Sequence, residues 1–124
     1  MEDTFYDQVG GHPFFHSLVN SFYEHVETDV QLRAMYPDDL TESKRHLELF
    51  LEQYWGGPKT YADERGHPRL RMRHAPFAIT KSARDAWLAA MEAAMESVRS
   101  SLNDEQYVEL HSYFAMAAHQ MRNV

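Results

Sequence analysis

The residues best suited to bind a ligand or metal lie at positions 65–77, in the sequence R-G-H-P-R-L-R-M-R-H-A-P-F. Pro68 suits the first position of a helix, because its missing N–H leaves no hydrogen bond unmade there. Pro76 cannot continue a helix, so we predict one short helix from Pro68 to His74. On this helix Leu70 and His74 share a face, since they are four residues apart.

This face combines a histidine with apolar side chains and cations. Phe77 follows just beyond His74, and Arg69 and Arg73 form a second row beside it. An imidazole can bind a metal and guanidinium groups can hold an anionic edge, so the face suits a flat, apolar ligand with anionic groups, such as iron protoporphyrin. The alternative is a core histidine hydrogen-bonded to a carbonyl, the commoner state of a lone histidine on an apolar face.

Size and composition predict one globular domain, residues 1–124, because 44% of the residues are hydrophobic and 25% are charged. We find no apolar run long enough to span a membrane and no signal-peptide pattern, and therefore expect a cytoplasmic location. The chain has no cysteine, which excludes disulfides, iron–sulfur clusters, thiolate ligands and covalent C-x-x-C-H haem attachment. Any bound metal must use His, Tyr, Met or carboxylate ligands.

The charge pattern argues against nucleic acid as a partner. The net charge is −7, yet the segment Arg65–Arg73 carries four arginines. A local basic patch in an acidic chain favours a small anionic ligand. Two alternatives remain at this point: a solvated charged surface, or a non-haem helical interaction module that docks an acidic partner through Arg65–Arg73.

The elements that must position these residues are all helical, because apolar residues recur at helical spacing and no segment alternates as a strand does. The long helices are expected at about 12–28, 42–55, 81–100 and 104–122. Their predicted N-terminal caps include Thr41, Thr80 and Asn103. Segment 56–67 has no periodicity and is expected to be a loop.

A second histidine pair has the spacing of metal ligands. His12 and His16 lie four residues apart at the start of the first long helix. No third ligand is near them in the sequence, so surface histidines are the favoured interpretation. A non-haem metal enzyme using His12, His16 and a carboxylate is kept as a further hypothesis.

Several motifs occur in order along the chain. They are F-Y-D-Q-V-G-G at 5–11, F-Y at 22–23, Y-P at 36–37, F-L-E-Q-Y-W-G-G-P at 50–58, T-Y at 60–61, the stretch 65–77, and D-A-W-L at 85–88. With these motifs the chain resembles the truncated haemoglobins, specifically the second group of that family. The resemblance covers the whole chain, and the separations of the motifs match as well as their letters.

The resemblance implies a truncated-globin fold, all-α, in which a two-over-two helical sandwich surrounds non-covalent haem b. His74 matches the proximal iron ligand, and Tyr23, Tyr36 and Trp87 match the polar distal cluster. Ser43 and Leu47 match positions that face the bound gas, where many relatives have Ala, Thr or His in place of Ser43. The remaining haem contacts are expected from Phe50, Leu51, Tyr61, His67, Leu70, Met72, Arg73, Phe77 and Met91, with Arg73 and Tyr61 at the propionates.

The donor set predicts the kind of activity. Tyrosine O–H and tryptophan N–H can hydrogen-bond a bound ligand while their rings are buried. Two or three such donors favour slow release of O2 and other small haem ligands over bulk oxygen transport. Phenols and indoles are poor bases, so any peroxidase or nitric-oxide dioxygenase activity should be weak. The sequence does not identify a reductase or other electron donor, and it does not decide whether the protein forms a homodimer.

Overall fold

The computed structural model describes residues 3–124, and all regular structure in that range is helical. The helices are α1 (Phe5–Gln8), α2 (His12–Thr28), α3 (Val30–Arg33), α4 (Thr41–Tyr54), α5 (Thr60–Arg65), α6 (Leu70–His74), α7 (Lys81–Ser97) and α8 (Asp104–Met121). A short 3-10 turn, Arg99–Ser101, separates α7 from α8.

The four long helices pack in two layers. Helix α2 packs against α4 and crosses α7, and α7 packs against α8. The core between them is fully buried and almost entirely apolar; its largest members include Phe15, Phe22, Met91, Leu110 and Phe114. Burying such side chains supplies most of the driving force for folding. The all-α, two-over-two sandwich predicted from the sequence is therefore confirmed.

Two of the three predicted caps are confirmed. The Thr80 hydroxyl accepts a hydrogen bond from the Ala83 N–H at 3.1 Å, which fixes the start of α7. Asn103 caps α8 by accepting from the Gln106 N–H at 2.8 Å, and the Gln106 side chain accepts from the Asn103 N–H at 3.0 Å. Such reciprocal bonds satisfy donors that a helix start leaves unpaired.

The third cap, one loop and two helix boundaries were predicted wrongly. Thr41 is the first residue of α4, and its N–H is satisfied by the Asp39 carboxylate at 2.9 Å. Segment 56–67 is not a simple loop, since it contains α5. Helix α6 begins at Leu70 because Arg69, with φ of 46°, is left-handed and breaks the helix predicted from Pro68. Helix α7 ends at Ser97.

The turn after α4 is fixed by close contact with the start of the chain. The Tyr6 N–H donates to the Trp55 carbonyl at 2.9 Å. A Cβ added at Gly57 would lie 2.7 Å from the Tyr6 ring and 2.8 Å from the Glu52 carbonyl oxygen. Only glycine lets these backbones approach so closely, which anchors α1 against the end of α4.

A search for membrane spans among the helices of residues 3–124 finds none that combines the necessary length and hydrophobicity.

Candidate functional site

A cavity of about 420 Å³ lies between the two helical layers. Its volume is within the roughly 300–1,000 Å³ typical of cofactor and small-molecule pockets. Most predicted site residues line it: Tyr23, Tyr36, Ser43, Leu47, Phe50, Leu51, Tyr61, Leu70, Arg73, His74, Phe77 and Trp87. The fold thus brings together side chains from five helices and two connecting segments.

One wall of the cavity presents His74, the last residue of α6. Its Nδ1 lies 2.6 Å from the carbonyl oxygen of Leu70, one turn earlier. The carbonyl can only accept, so Nδ1 carries the proton and Nε2 keeps its lone pair. A ring held in this way is a preformed ligand for a metal, because the backbone bond fixes both tautomer and orientation.

The C-terminal residues hold this wall in place. The Asn123 side-chain amide donates to the Phe77 carbonyl at 2.9 Å, and its oxygen accepts from the Ile79 N–H at 2.9 Å. The Asn123 N–H also donates to the Ile79 carbonyl at 3.0 Å. Asn123 therefore ties the segment that follows His74 to the end of α8. Sequence reasoning missed this role, since no local pattern links residues 44 positions apart.

A second wall carries the polar aromatic residues. The rings of Tyr23, on α2, and Tyr36, after α3, are 5.6 Å apart in an edge-to-face arrangement. Trp87, on α7, lies close enough to Tyr36 to lower the pKa of its phenol, and Ser43, on α4, does the same for Tyr23. Four separate elements thus direct hydroxyl and indole donors into one part of the cavity.

Burial keeps both phenols protonated. It raises the pKa of Tyr36 to about 12, although hydrogen bonds with Trp87 and Tyr23 act in the opposite direction. Burial raises the pKa of Tyr23 further, and the neighbouring Tyr36 adds to the effect. At neutral pH the cavity therefore holds neutral O–H donors and no phenolate.

The floor between these walls is apolar. Leu47, Phe50 and Leu51 project from α4, and the Tyr61 ring lies edge-on to Phe50 at 5.6 Å. Leu51 is 1% exposed, and Tyr61 is 3% exposed. This surface suits an apolar ligand, because it offers few polar groups that would lose water on binding.

Cationic groups surround the rim of the cavity. Arg73 is braced by the backbone: its Nε donates to the Pro68 carbonyl at 2.7 Å and its Nη2 to the Arg65 carbonyl at 3.2 Å. Arg65 reaches a His46 ring nitrogen at 2.9 Å, while its buried Nε has no partner. Burial lowers the pKa of His46, and the Arg65 charge lowers it further. A guanidinium N–H without an acceptor is an unsatisfied donor, and an anionic oxygen is the acceptor that suits it best.

The structure leaves three predicted contact residues outside the cavity lining. His67 is exposed, and its Nδ1 accepts from the Arg69 N–H at 3.1 Å. Met72 is 60% exposed. Met91 is fully buried in the apolar core of α7.

Several lining residues were not singled out from the sequence. His46 and Arg84 stand at the rim, and Phe114, Ala117 and Met121 of α8 contribute apolar surface. The α8 residues do follow a predicted inward stripe. Periodicity gives the face of a helix, however, and does not separate a cavity from a packed core.

Comparisons with known proteins agree with this geometry. Residues 4–120 match the family described as bacterial-like globin. The Group 2 truncated hemoglobin YjbI of Bacillus subtilis is 48% identical over 88 residues, 71% of this chain and 67% of that protein. The crystal structure of haemoglobin from the thermophilic phototroph Chloroflexus aurantiacus superimposes with a TM-score of 0.95 at 47% identity, covering 99% of this chain and 100% of the other.

A further similar crystal structure is that of truncated oxygen-avid haemoglobin from Bacillus subtilis. Its crystal structure superimposes with a TM-score of 0.90 at 40% identity, over 98% of this chain and 100% of the other. The family match spans nearly the whole described chain, and the folds coincide. The chain belongs to the bacterial-like globin family, as a truncated haemoglobin of the second group, a family that implies a haem cofactor and the binding of small ligands.

Proposed function

We propose that this protein binds haem b non-covalently and uses it to bind O2, and other small haem ligands, with slow release. The observation that carries the proposal is one cavity with a backbone-oriented imidazole, His74, on one wall. Three ring-borne donors, from Tyr23, Tyr36 and Trp87, line another wall of the same cavity. Bound haem would supply the iron to which the small ligand attaches.

The residues present fit haem. The floor is apolar, the rim is cationic, and the buried Arg65 Nε lacks an acceptor that a haem propionate would provide. Arg73 is oriented at the same rim by its bonds to Pro68 and Arg65. The absence of cysteine leaves no thiol for covalent attachment, which favours the non-covalent b type. His74 would hold the iron through Nε2, because Nδ1 is engaged by Leu70.

The distal residues would act as hydrogen-bond donors. A ligand that gains negative charge on iron is stabilised by about 1.5–3 kcal/mol for each good hydrogen bond in a dry site. Each 1.4 kcal/mol slows escape about tenfold if association is unchanged. Tyr23, Tyr36 and Trp87 together would therefore favour slow release over rapid delivery. The similarity to a haemoglobin described as oxygen-avid also supports slow release of O2.

Redox turnover is proposed to be weak. A peroxidase needs a group that moves a proton beside the substrate. Tyr23 and Tyr36 are held protonated by burial and are poor bases. A histidine could move such a proton, but His46 lies at the rim of the cavity and Arg65 is hydrogen-bonded to its ring.

The position of the arginines favours this proposal over a non-haem docking module. Arg65 and Arg73 line the cavity, where Arg65 bonds the His46 ring and Arg73 donates to backbone carbonyls, whereas Arg69 and Arg71 are exposed. Only part of the basic patch is therefore available to an external acidic partner. The cations inside are placed for a small ligand with anionic groups.

Hemin titration of the purified chain tests the proposal. We expect one hemin per chain, a Soret band, a shift of that band with CO after reduction, and slow O2 release. His74→Gln should lose or weaken the band, whereas the matched His67→Gln, outside the cavity, should bind like the native chain. A native chain that takes up no hemin, or two variants that behave alike, would refute the assignment.

A further inference from the structure

A second cluster of side chains that can bind a metal lies between the first two turns of α2 and the facing part of α4. His12 and His16 are one turn apart on α2, and Glu48 and Glu52 are one turn apart on α4. His12 Nδ1 is 2.7 Å from Glu52 Oε1, and His16 Nδ1 is 2.7 Å from Glu48 Oε1. The imidazole centroids of the two histidines are 5.5 Å apart. Two histidines of one helix thus face two carboxylates of its neighbour.

We propose that His12, His16 and Glu48 form a binding site for a divalent transition-metal ion such as Zn2+, separate from the haem cavity. One ligand atom from each of the three lies within 4.8 Å of the others. Imidazole and carboxylate are ligands that Zn2+ prefers, and two histidines plus a glutamate leave a fourth position for water. Histidines four residues apart on a helix are a known chelating arrangement.

The geometry requires only small movements. Zinc bonds of about 2.0–2.1 Å place tetrahedral ligand atoms about 3.4 Å apart. Ligand atoms that now lie up to 4.8 Å apart must therefore close in by at most about 1.4 Å, whereas His16 Nδ1 and Glu48 Oε1, now 2.7 Å apart, must separate by about 0.7 Å. The side chains of His12 and His16 are 58% and 56% exposed, so their rotamers can adjust without disturbing the core.

Neighbouring groups would hold the ligands in position. Glu52 is 4% exposed and hydrogen-bonds His12 Nδ1, which would leave His12 Nε2 for the metal. When His16 binds a metal through Nδ1, its Nε2 carries the proton; the Asn20 amide nitrogen now lies 3.0 Å from Nε2, and the amide would turn over so that its oxygen accepts that proton. Partners of this kind orient metal-bound imidazoles, and the carboxylates offset the unfavourable positive end of α2. Glu52 and Asn20 are positioning residues.

The site is distinct from the cavity, although α4 contributes to both. Leu47 and Leu51 line the cavity, whereas Glu48 and Glu52 meet α2 on another face. The sequence hid this set because Glu48 is 32 residues from His16. A metal there would join α2 to α4, so binding should stabilise the folded chain.

Calorimetric titration of ZnCl2 into the metal-stripped, hemin-loaded chain tests the proposal. We expect one Zn2+ per chain and a rise in the unfolding midpoint followed by far-ultraviolet circular dichroism. His16→Gln and Glu48→Gln should each weaken binding at least about tenfold and remove the thermal shift. His25→Gln is the matched control, because His25 is exposed on the same helix outside the cluster.

The proposal is overturned if the native chain shows no saturable binding. It is equally overturned if His16→Gln and Glu48→Gln bind as the native chain does, or if His25→Gln loses as much affinity as they do. Since His16 is exposed, its substitution should leave the fold intact, and the circular dichroism spectrum checks this directly.

Discussion

Replacing Trp87 by phenylalanine should speed O2 release. Trp87 lines the cavity beside Tyr36, and its ring packs 5.4 Å from Phe22 and 6.0 Å from Phe114 between centroids. Trp87→Phe keeps an aromatic ring against these neighbours but removes the indole N–H. Loss of one donor should cost the bound ligand about 1.5–3 kcal/mol, which raises the dissociation rate roughly 12- to 160-fold.

Stopped-flow displacement of O2 by CO from the reduced, haem-loaded protein measures this rate. Trp55→Phe is the matched control, because Trp55 is outside the cavity lining and its buried Nε1 has no hydrogen-bond partner. The control should release O2 at the native rate. If Trp87→Phe also does so, or if both variants change equally, the indole does not act as a donor to the ligand.

Two further predictions concern pH and the C-terminus. The hydrogen bond to Glu52 raises the pKa of His12 above its ordinary value of 6.5, so the folded state holds this proton more tightly than the unfolded state. The stability that His12 contributes is fully present below its pKa in the unfolded chain, and it is lost as the pH rises through its pKa in the folded chain. In chelator-treated urea unfolding, His12→Gln should therefore destabilise the chain more at about pH 6 than at about pH 9, whereas His25→Gln should not; an equal loss at both pH values would contradict this. Asn123→Ala should speed hemin loss to apomyoglobin severalfold, because it removes the side-chain hydrogen bonds that hold the segment after His74. An unchanged rate of hemin loss would mean that these bonds do not stabilise the His74 wall of the cavity.

The long helices were predictable because their signals are local. Apolar spacing placed α2, α4, α7 and α8, and the side chains of Thr80 and Asn103 marked two helix starts. A cap bonds to backbone only three residues away, so the sequence contains both partners.

The short elements around the site escaped prediction for physical reasons. Helix α5 is six residues long and no side chain caps it, so neither periodicity nor a cap marks it. Arg69 adopts a left-handed conformation that sequence preference disfavours for arginine. The Arg69 N–H donates to His67 Nδ1 at 3.1 Å, but no sequence rule predicts that this contact will stabilise a left-handed arginine.

The sequence predicted the chemically distinctive residues of the site well, but it predicted less well which apolar residues line the cavity. His74, Tyr23, Tyr36 and Trp87 carry distinctive chemistry, and the structure brings all of them to one cavity. Methionines on inward faces are harder to assign, because an apolar stripe looks the same beside a cavity and within a core. Glu48, the third ligand proposed for the α2 cluster, comes close to the histidines only when α4 packs against α2, and no single segment of sequence predicts that packing.

Resonance Raman spectroscopy of the reduced, hemin-loaded chain tests the central claim that His74 binds the iron. We expect an iron–histidine stretching band in the native chain. The band should vanish in His74→Gly and return, shifted, when imidazole is added. An iron–histidine band that is unchanged in His74→Gly would show that another residue holds the iron and would contradict the account.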